Sequence, residues 1–107
     1  LRDSNFRSAS LIRADFRSAN LSNANLAHAD LTGAKFDDAD LEGADFCGAN
    51  LSDASFRNAS LFGATFIDEQ NQQAAKFSSE NPLTSKQISM LTDEQQAYFR
   101  KRFHVSE

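Results

Sequence analysis

Residues 19–33 read ANLSNANLAHADLTG, which is three five-residue units of one kind. The unit extends in both directions, because Leu or Phe recurs at every fifth position and Ala stands two positions before it in twelve consecutive units. We predict that both series form the structural core. The large members are Leu1, Phe6, Leu11, Phe16, Leu21, Leu26, Leu31, Phe36, Leu41, Phe46, Leu51, Phe56, Leu61 and Phe66, and the alanines are Ala9, Ala14, Ala19, Ala24, Ala29, Ala34, Ala39, Ala44, Ala49, Ala54, Ala59 and Ala64.

A five-residue period fits neither a helix nor a flat strand. On a helix each step of five residues drifts by about 140°, so the Leu/Phe series would spiral around the surface. On a strand an odd period would send every second Leu or Phe to the opposite face. The period is satisfied if the chain turns a corner once in every unit and coils around its own apolar side chains.

The corners are expected two residues after each Leu or Phe. Gly, Asp, Asn and Ser, which favour turns, occupy this position in all units from Asp3 to Asp68 except at Arg13 and His28. Odd-numbered units carry Leu and even-numbered units carry Phe, with Leu26 as the exception. Four units per coil would stack residue n on residue n+20 and therefore like on like, which favours a four-sided coil.

The pattern A-[DN]-[LF]-x-x, as in Ala19-Asn20-Leu21-Ser22-Asn23, resembles the pentapeptide-repeat family over about 65 of the 107 residues. The resemblance implies an all-β solenoid, a right-handed four-sided parallel β-helix. We expect about 3.5 coils followed by a C-terminal helical cap. The resemblance implies no particular reaction, because the pentapeptide-repeat family consists of scaffold proteins.

Three segments are predicted. Residues 1–66 form the pentapeptide-repeat β-helix, residues 67–82 an irregular exit segment, and residues 83–107 two short helices that cap the C-terminal end. Within the exit segment we expect a loop or short helix over 67–74, and then Ala75-Lys76-Phe77 as a last repeat displaced by one residue. Pro82 marks a break.

The two helices have start signals. Thr84 or Ser85 is expected to cap a helix that continues through Leu91, and Thr92 with Gln95 has the pattern of a capping box for a helix reaching about His104. The Arg100–Arg102 run is interpreted as a helix C-terminus rather than a phosphate site. The apolar residues predicted to cover the end of the coil are Ile88, Leu91, Tyr98, Phe99 and Phe103.

No catalytic, cofactor-binding or metal residue is assigned, and an enzyme is not expected. In the stacked order His28, Gly48 and Asp68 share one corner column, with Cys47 adjacent, which could hold a metal or a nucleophile–base pair. The spacing is that of the repeat itself, however. We therefore predict an ordinary surface corner and no cofactor.

Composition limits the partners. The net charge of −4 gives no basic footprint, so no direct nucleic-acid binding is expected. No apolar run suits a membrane span or signal peptide. Cytoplasm is the default compartment, with an exported or organellar mature form left open. Met90 is the only methionine, so we expect a processed chain or a fragment with further coils before Leu1.

The predicted function is a non-catalytic structural or protein-interaction module with an unknown protein partner. Phe62 is predicted to point outward, where either the C-terminal segment covers it or a partner contacts it. A homodimer through one end of the solenoid is a further expectation.

The alternative function is a DNA mimic that binds a type II topoisomerase, as some similar quinolone-resistance proteins do. The acids of this chain are not concentrated on one face, and the first coil is net positive, which counts against that alternative. Arg17, Asp37 and Arg57 are instead expected to form an exposed ion-pair ladder.

Overall fold

The structure is a computed structural model, and it describes residues 1–68, 70–71, 73–78 and 83–102. Ten isolated parallel bridges link successive coils. Nine of them join residue n to residue n+20, from Asn5–Asn25 to Asp45–Thr65, and the tenth joins Asn50 to Lys76. Four five-residue units therefore complete one coil, as the stacking of like on like predicted.

Main-chain hydrogen bonds hold each coil to the next. Phe6 N–H donates to the carbonyl of Asn25 at 2.7 Å, Ser8 N–H donates to that of Ala27 at 2.9 Å, and Asn25 N–H donates back to that of Ser4 at 2.8 Å. The same three bonds recur along the coil. The backbone polarity of an interior coil is thereby satisfied by the coils on either side.

Each corner is a turn in which an Ala or Ser N–H donates to the carbonyl three residues earlier, as Ala9 does to Phe6 at 3.0 Å. The residue just before this donor has a positive φ at every corner from Asp3 to Gly63, between 58° and 71°. Arg13 and His28 adopt the same conformation, with φ of 60° and 61°. The coil therefore imposes the left-handed conformation on residues that do not favour it. The corner expected at Asp68 is wrong, because this residue lies in a strand.

The core is a set of side-chain ladders along the coil axis. The rings of Phe16, Phe36 and Phe56 stack with centroids 5.4 and 5.1 Å apart, and those of Phe46 and Phe66 are 5.0 Å apart. From Leu21 to Phe66 every Leu and Phe of the predicted series is buried. Parallel ring stacking of this kind adds to the stabilisation from burial.

The first coil departs from the predicted core. Leu1 is 60% exposed, so its assignment to the core is wrong. Half-buried residues of the same series are Phe6, Leu11, Ala9, Ala14 and Ala19. The physical reason is that these side chains are packed by the second coil on one side only.

A hairpin interrupts the coil after Phe66. Strand β1 (Ile67–Asp68) pairs antiparallel with β2 (Gln73–Ala74), so the loop or short helix expected here is wrong. Lys76 then pairs with Asn50, 26 residues earlier instead of 20. The predicted last repeat, Ala75-Lys76-Phe77, is therefore present in the coil. Six residues are inserted ahead of it, so the buried Phe77 takes the next place in the coil after Phe66 although it lies 11 residues further along the chain.

Two helices follow. Helix α1 (Ser85–Ser89) begins at Thr84, which forms a capping box with Gln87, and it ends two residues earlier than expected. Helix α2 spans Asp93–Arg102. The predicted cap residues Ile88, Leu91 and Phe99 are buried in the same core as the coil, and Tyr98 packs partly against it. Phe103, His104 and Pro82 lie outside the described residues.

Candidate functional site

The end of the coil, where the chain leads into the hairpin, is hydrogen-bonded to the side chain of Gln95 in α2. The Oε1 atom of Gln95 accepts the N–H groups of Phe66 at 2.7 Å and Ile67 at 3.0 Å, and its Nε2 donates to the carbonyl of Ile67 at 2.9 Å. Thr92 Oγ1 accepts Gln95 N–H at 3.5 Å. The predicted capping box is therefore wrong in its second half, because the Gln95 side chain binds the coil instead of the helix start.

Other side chains act on the remaining sides of the last coil in the same way. Gln87, which is buried, donates to the carbonyls of Phe56 and of Ala59, the latter at 3.3 Å. Asp53 N–H donates to Ser78 Oγ at 2.8 Å. Polar side chains thus take the place of a further coil. The sequence did not predict that Gln87 and Ser78 bond the last coil. The only signal was that Gln87 stands three positions after Thr84, which is the spacing of a capping box.

The Asn or Asp before each Leu or Phe has a bonding role that the sequence did not disclose. Its side-chain oxygen accepts the N–H of the residue two positions later, at 2.9–3.2 Å, and so satisfies a main-chain donor of the corner. All eight such residues do this, namely Asn5, Asp15, Asn20, Asn25, Asp30, Asp40, Asp45 and Asn50. The Asp carboxylates of this series therefore have a structural role in the corners.

The ion-pair ladder expected along the axis does not form. Arg17 binds Asp15 of its own coil, with Nη2 and Oδ2 2.8 Å apart, and this hydrogen bond lowers the pKa of Asp15 to about 2. Asp37 Oδ1 instead accepts the backbone N–H of Arg57 at 3.0 Å. Since Ser55 replaces the usual Asn or Asp before Phe56, the carboxylate from the coil below supplies the missing acceptor.

His28 joins the hairpin to the coil. Its Nε2 hydrogen-bonds to Gln73 Oε1 of β2 at 2.9 Å, and its ring lies over Gly48, where a Cβ atom would be 2.6 Å from the imidazole. Gly48 also has a φ of +70°. This corner therefore needs glycine for two reasons, the backbone conformation and the space for the ring.

The corner column of His28, Gly48 and Asp68, with Cys47 adjacent, is not assembled as a reactive site. Cys47 is buried, and desolvation together with the hydrogen bond to Asp45 raises the pKa of its thiol to about 12. Asp68 accepts from Asn71, a bond that lowers the pKa of this carboxyl. Within the described part of the chain, no three His, Cys, Asp or Glu side chains are grouped to hold a metal ion.

A cleft of about 600 Å³ opens between the hairpin and α2. Carboxylates of Asp45, Asp68 and Glu94 line it, together with hydroxyl groups of Thr65 and Thr92. We refer to it as the acidic cleft. Its lining offers hydrogen-bond acceptors and negative charge to solvent, so it would favour cationic groups over anionic ones.

Phe62 projects from a corner of the last coil, and 55% of its side chain is exposed. Met90 lies beside it, because its carbonyl accepts Gly63 N–H at 3.2 Å and its Sδ accepts Leu61 N–H at 3.5 Å. Of the two alternatives for Phe62, cover by the C-terminal segment is thus wrong.

A smaller cleft of about 300 Å³ adjoins Met90, and Asn58, Thr84 and Lys86 are among its lining residues. Ile12 is exposed to a similar degree, 53%, on a different corner. Each described helix is too short or too polar to cross a membrane.

Comparison with known proteins identifies the family of this chain. The sequence profile of the family described as "Pentapeptide repeat region" matches residues 1–66. No curated protein sequence matches the chain. A pentapeptide repeat protein of Nostoc Pcc 7120 is 28% identical, with 73% of this chain and 75% of that one covered and a TM-score of 0.48. A pentapeptide repeat protein from the Arabidopsis thaliana thylakoid lumen is 30% identical, with 92% and 72% covered and a TM-score of 0.42. The chain therefore belongs to the pentapeptide repeat family, and this membership implies that its coil is a right-handed quadrilateral β-helix.

Proposed function

We propose that this protein is a non-catalytic protein-interaction module, made of about three and a half coils with a helical cap on the C-terminal end. The observation that carries the proposal is the exposure of Phe62. Core residues, corner residues and the Asn/Asp series all have structural roles, whereas this large ring projects from a rigid corner at 55% exposure. Aromatic side chains in such positions are frequent anchors of protein interfaces.

Support for a cap comes from the bonds that the C-terminal segment makes with the last coil. Gln87 and Gln95, both buried, bind main-chain groups of that coil, and Phe99 packs edge-on against Phe66 with ring centroids 5.3 Å apart. Solenoid ends need such cover because they would otherwise present unpaired backbone and core to water. The cap also fixes Met90 next to Phe62.

Support for a non-catalytic role comes from the chemistry of the titratable groups. The thiol of Cys47 has a pKa raised to about 12, so it would be a poor nucleophile at neutral pH. His28 is bonded to Gln73 and not to an acid or a nucleophile. A module of this kind acts through shape and contact rather than through bond making.

The test uses a photo-cross-linking residue in place of Phe62, and the same replacement at Ile12 as a matched control. Irradiation in a lysate is expected to give a discrete cross-linked product from position 62 and none from position 12. Products from both positions at equal yield would indicate non-specific contact and would contradict the assignment of Phe62. Absence of any product from either position would contradict the interaction module.

A second proposal is the topoisomerase-directed DNA mimic, and the acidic cleft is the observation that favours it. Asp45, Asp68 and Glu94 line this cleft without a basic residue among its described lining. The test is a gyrase supercoiling assay with titrated protein. Inhibition at low micromolar protein would put this function first, and full supercoiling at high protein concentration would eliminate it.

We propose the cytoplasm as the compartment of this protein. The thylakoid lumen is the source of the Arabidopsis relative and is not carried over to this chain.

A further inference from the structure

We propose that Phe62 and the three carboxylates around it bind a segment of a partner protein that carries an apolar side chain next to Lys or Arg. The proposal rests on the proposed function, because it names the chemistry of the partner of the interaction module. We call Phe62, Asp40, Glu42 and Asp45 the Phe62 surface.

Two of these carboxylates flank Phe62 on the coil below it. Asp40 is bridged to Ser60 and Asp45 is bridged to Thr65, and Phe62 lies between Ser60 and Thr65 on the upper coil. Bridged backbones in a sheet are about 4.8 Å apart. The carboxylates therefore belong to the two sides of the coil that meet at the Phe62 corner, with one on each side.

The third carboxylate, Glu42, lies below Phe62 itself. Gly43 N–H donates to the Phe62 carbonyl at 2.9 Å, which stacks the Glu42 corner under the Phe62 corner. No Lys or Arg occurs in residues 38–45 or 58–65, the two stacked stretches around this corner. Lys86 lies at the preceding corner, where it lines the smaller cleft with Asn58. The coil surface next to Phe62 is therefore acidic.

The three carboxylates have capacity left to accept hydrogen bonds from a partner. One oxygen of Asp40 accepts the N–H of Glu42 at 3.1 Å, and one oxygen of Asp45 accepts the N–H of Cys47 at 2.9 Å. A carboxylate has about four acceptor positions on its two oxygens. None of the three forms an ion pair with another described residue, and Glu42 is exposed. Their charge is thus not neutralised within the described chain.

These neighbours determine which partner fits. Phe62 and the half-buried Met90 beside it offer apolar area that an apolar side chain would cover. A purely apolar partner would also remove water from the carboxylates and leave them without new bonds, which is unfavourable. A Lys or Arg next to the apolar side chain pairs with them instead, and its hydrocarbon stem packs on the ring. An acidic partner is repelled.

Towards the hairpin the Phe62 surface continues into the acidic cleft, because Asp45 lines that cleft as well. Asp68 and Glu94 are further carboxylates of the cleft. A second basic side chain of the same partner segment would therefore also meet negative charge. We expect the binding segment to contain more than one Lys or Arg.

The experiment uses the whole chain and three fluorescein-labelled peptides of about twelve residues. The first peptide repeats Gly-Leu-Arg, the second has Ser in place of Leu, and the third has Glu in place of Arg. Fluorescence anisotropy is followed up to about 1 mM protein, which detects weak contacts. The Leu–Arg peptide is expected to bind, the Ser–Arg peptide at least about tenfold more weakly, and the Leu–Glu peptide not at all. Added salt should weaken the first complex, because it screens the carboxylates.

The aromatic anchor is tested with one matched pair of variants. Phe62→Ser should raise the dissociation constant of the Leu–Arg peptide about tenfold or more, because it removes the ring. Ile12→Ser is the control, since Ile12 is exposed to a similar degree on a corner outside the Phe62 surface, and it should leave the constant unchanged. Thermal unfolding of each variant checks that the fold is intact.

The charges are tested with a second pair. Glu42→Gln/Asp45→Asn removes two charges and keeps a side-chain oxygen for the Cys47 N–H, and it should raise the same constant about three- to tenfold. Asp30→Asn is the control, because Asp30 accepts the N–H of Thr32 in the equivalent bond on another side of the coil. It should leave the constant unchanged.

Four results would overturn the proposal: no binding of the Leu–Arg peptide, equal binding of the Ser–Arg peptide, an unchanged constant in Phe62→Ser, or equal effects of the two charge variants. These failures are distinguishable from failure of the proposed function. If the Leu–Arg peptide does not bind but the cross-linker at position 62 still gives a discrete product, the stated partner chemistry is eliminated and the interaction module is retained.

Discussion

The first and last coils contain the same kind of residue in different surroundings. Phe66 of the last coil is fully buried, with Phe46 below it and Phe77 and Phe99 above it. Phe6 holds the corresponding place in the first coil and is only half-buried, with Phe16 as its aromatic neighbour at 5.9 Å. The repeat makes both positions alike in sequence, so the difference comes entirely from what lies beyond each coil.

This comparison teaches how a parallel coil is closed without a further strand. At the last coil, side chains of Ser78, Gln87 and Gln95 bond main-chain groups that a next coil would otherwise bond. At the first coil the outward N–H of Asn5 and its counterparts have no such partner among the described residues. The apolar residues that cover the core and the side chains that bond the main chain are therefore found at the same end of the coil, the C-terminal end.

The largest expected effect comes from truncating the two matched rings. Phe66→Ala should lower the free energy of unfolding by about 3–5 kcal/mol, because it leaves a cavity between stacked and edge-on rings. Phe6→Ala should cost less, about 1–2 kcal/mol, since its ring is only partly buried and no coil packs against its outer side. Urea unfolding of both variants measures the difference. Equal losses would show that the first coil is as tightly packed as the last.

The next effect concerns the polar bonds of the covered end. Gln95→Ala should cost about 2–4 kcal/mol, because the N–H groups of Phe66 and Ile67 lose their acceptor and the Ile67 carbonyl loses its donor in a mostly buried place. Asn5→Ala is the control at the other end, where the N–H of Arg7 can turn to water. It should cost less than about 1 kcal/mol by the same measurement. A neutral Gln95→Ala would refute the closing role of this side chain.

A smaller effect is expected at two corners that differ in their surroundings. Gly48→Ala should cost about 1–3 kcal/mol, because its Cβ would displace the His28 ring in addition to the strain of positive φ. Gly63→Ala has the same φ within a degree, but its Cβ would make only an ordinary contact, 4.0 Å from Gly43 N, so only the strain of about 1 kcal/mol remains.

The double variant His28→Ala/Gly48→Ala separates the cost of displacing the His28 ring from the cost of the positive φ. If the ring is responsible for the excess, adding Gly48→Ala to a His28→Ala background should cost no more than Gly63→Ala does. Thermal unfolding of the four variants would measure this. An unchanged excess in the double variant would place its cause elsewhere in the corner.

The smallest effect is the pH dependence of the first coil. The pKa of Asp15 is lowered in the fold from 3.8 to about 2 by Arg17, so this pair stabilises the protein above the ordinary pKa and is lost as the pH falls towards 2. Asp15→Asn keeps the oxygen that accepts Arg17 N–H but removes the charge. We expect the variant to be slightly less stable at pH 7, with the two stability curves converging near pH 2. Parallel curves over this range would contradict the pair.

The repeat was predictable because every unit obeys the same physics. Period, corner position and four units per coil all follow from one series, and the exceptions at Leu26, Arg13 and His28 did not obscure it. Leu1 shows the limit, since the period assigns it to the core and only the absence of packing on one side makes it exposed. Periodicity describes neighbours along the chain and carries no information about what lies beyond a coil.

The exit segment and the cover were predicted less well, for a different reason. The bond from Gln95 to Ile67 joins residues 28 positions apart with no pattern connecting them. Thr92 and Gln95 have the spacing of a capping box, and the tertiary contact prevailed over the local one. The hairpin is not part of the repeat. The five-residue period therefore could not predict where its turn lies. Phe62 could be predicted to point outward, but its exposure depended on how the helices are placed.

The separation of 20 residues that nine of the ten bridged pairs share has a consequence for how the chain folds. Each coil closes a loop of the same length, so the loop-closure entropy per coil does not rise as coils are added. The separation between contacting residues stays the same however many coils are present, which favours propagation from one formed coil to the next. The number of coils can therefore change in steps of one turn without a new folding problem, and length becomes a property that can vary independently of fold.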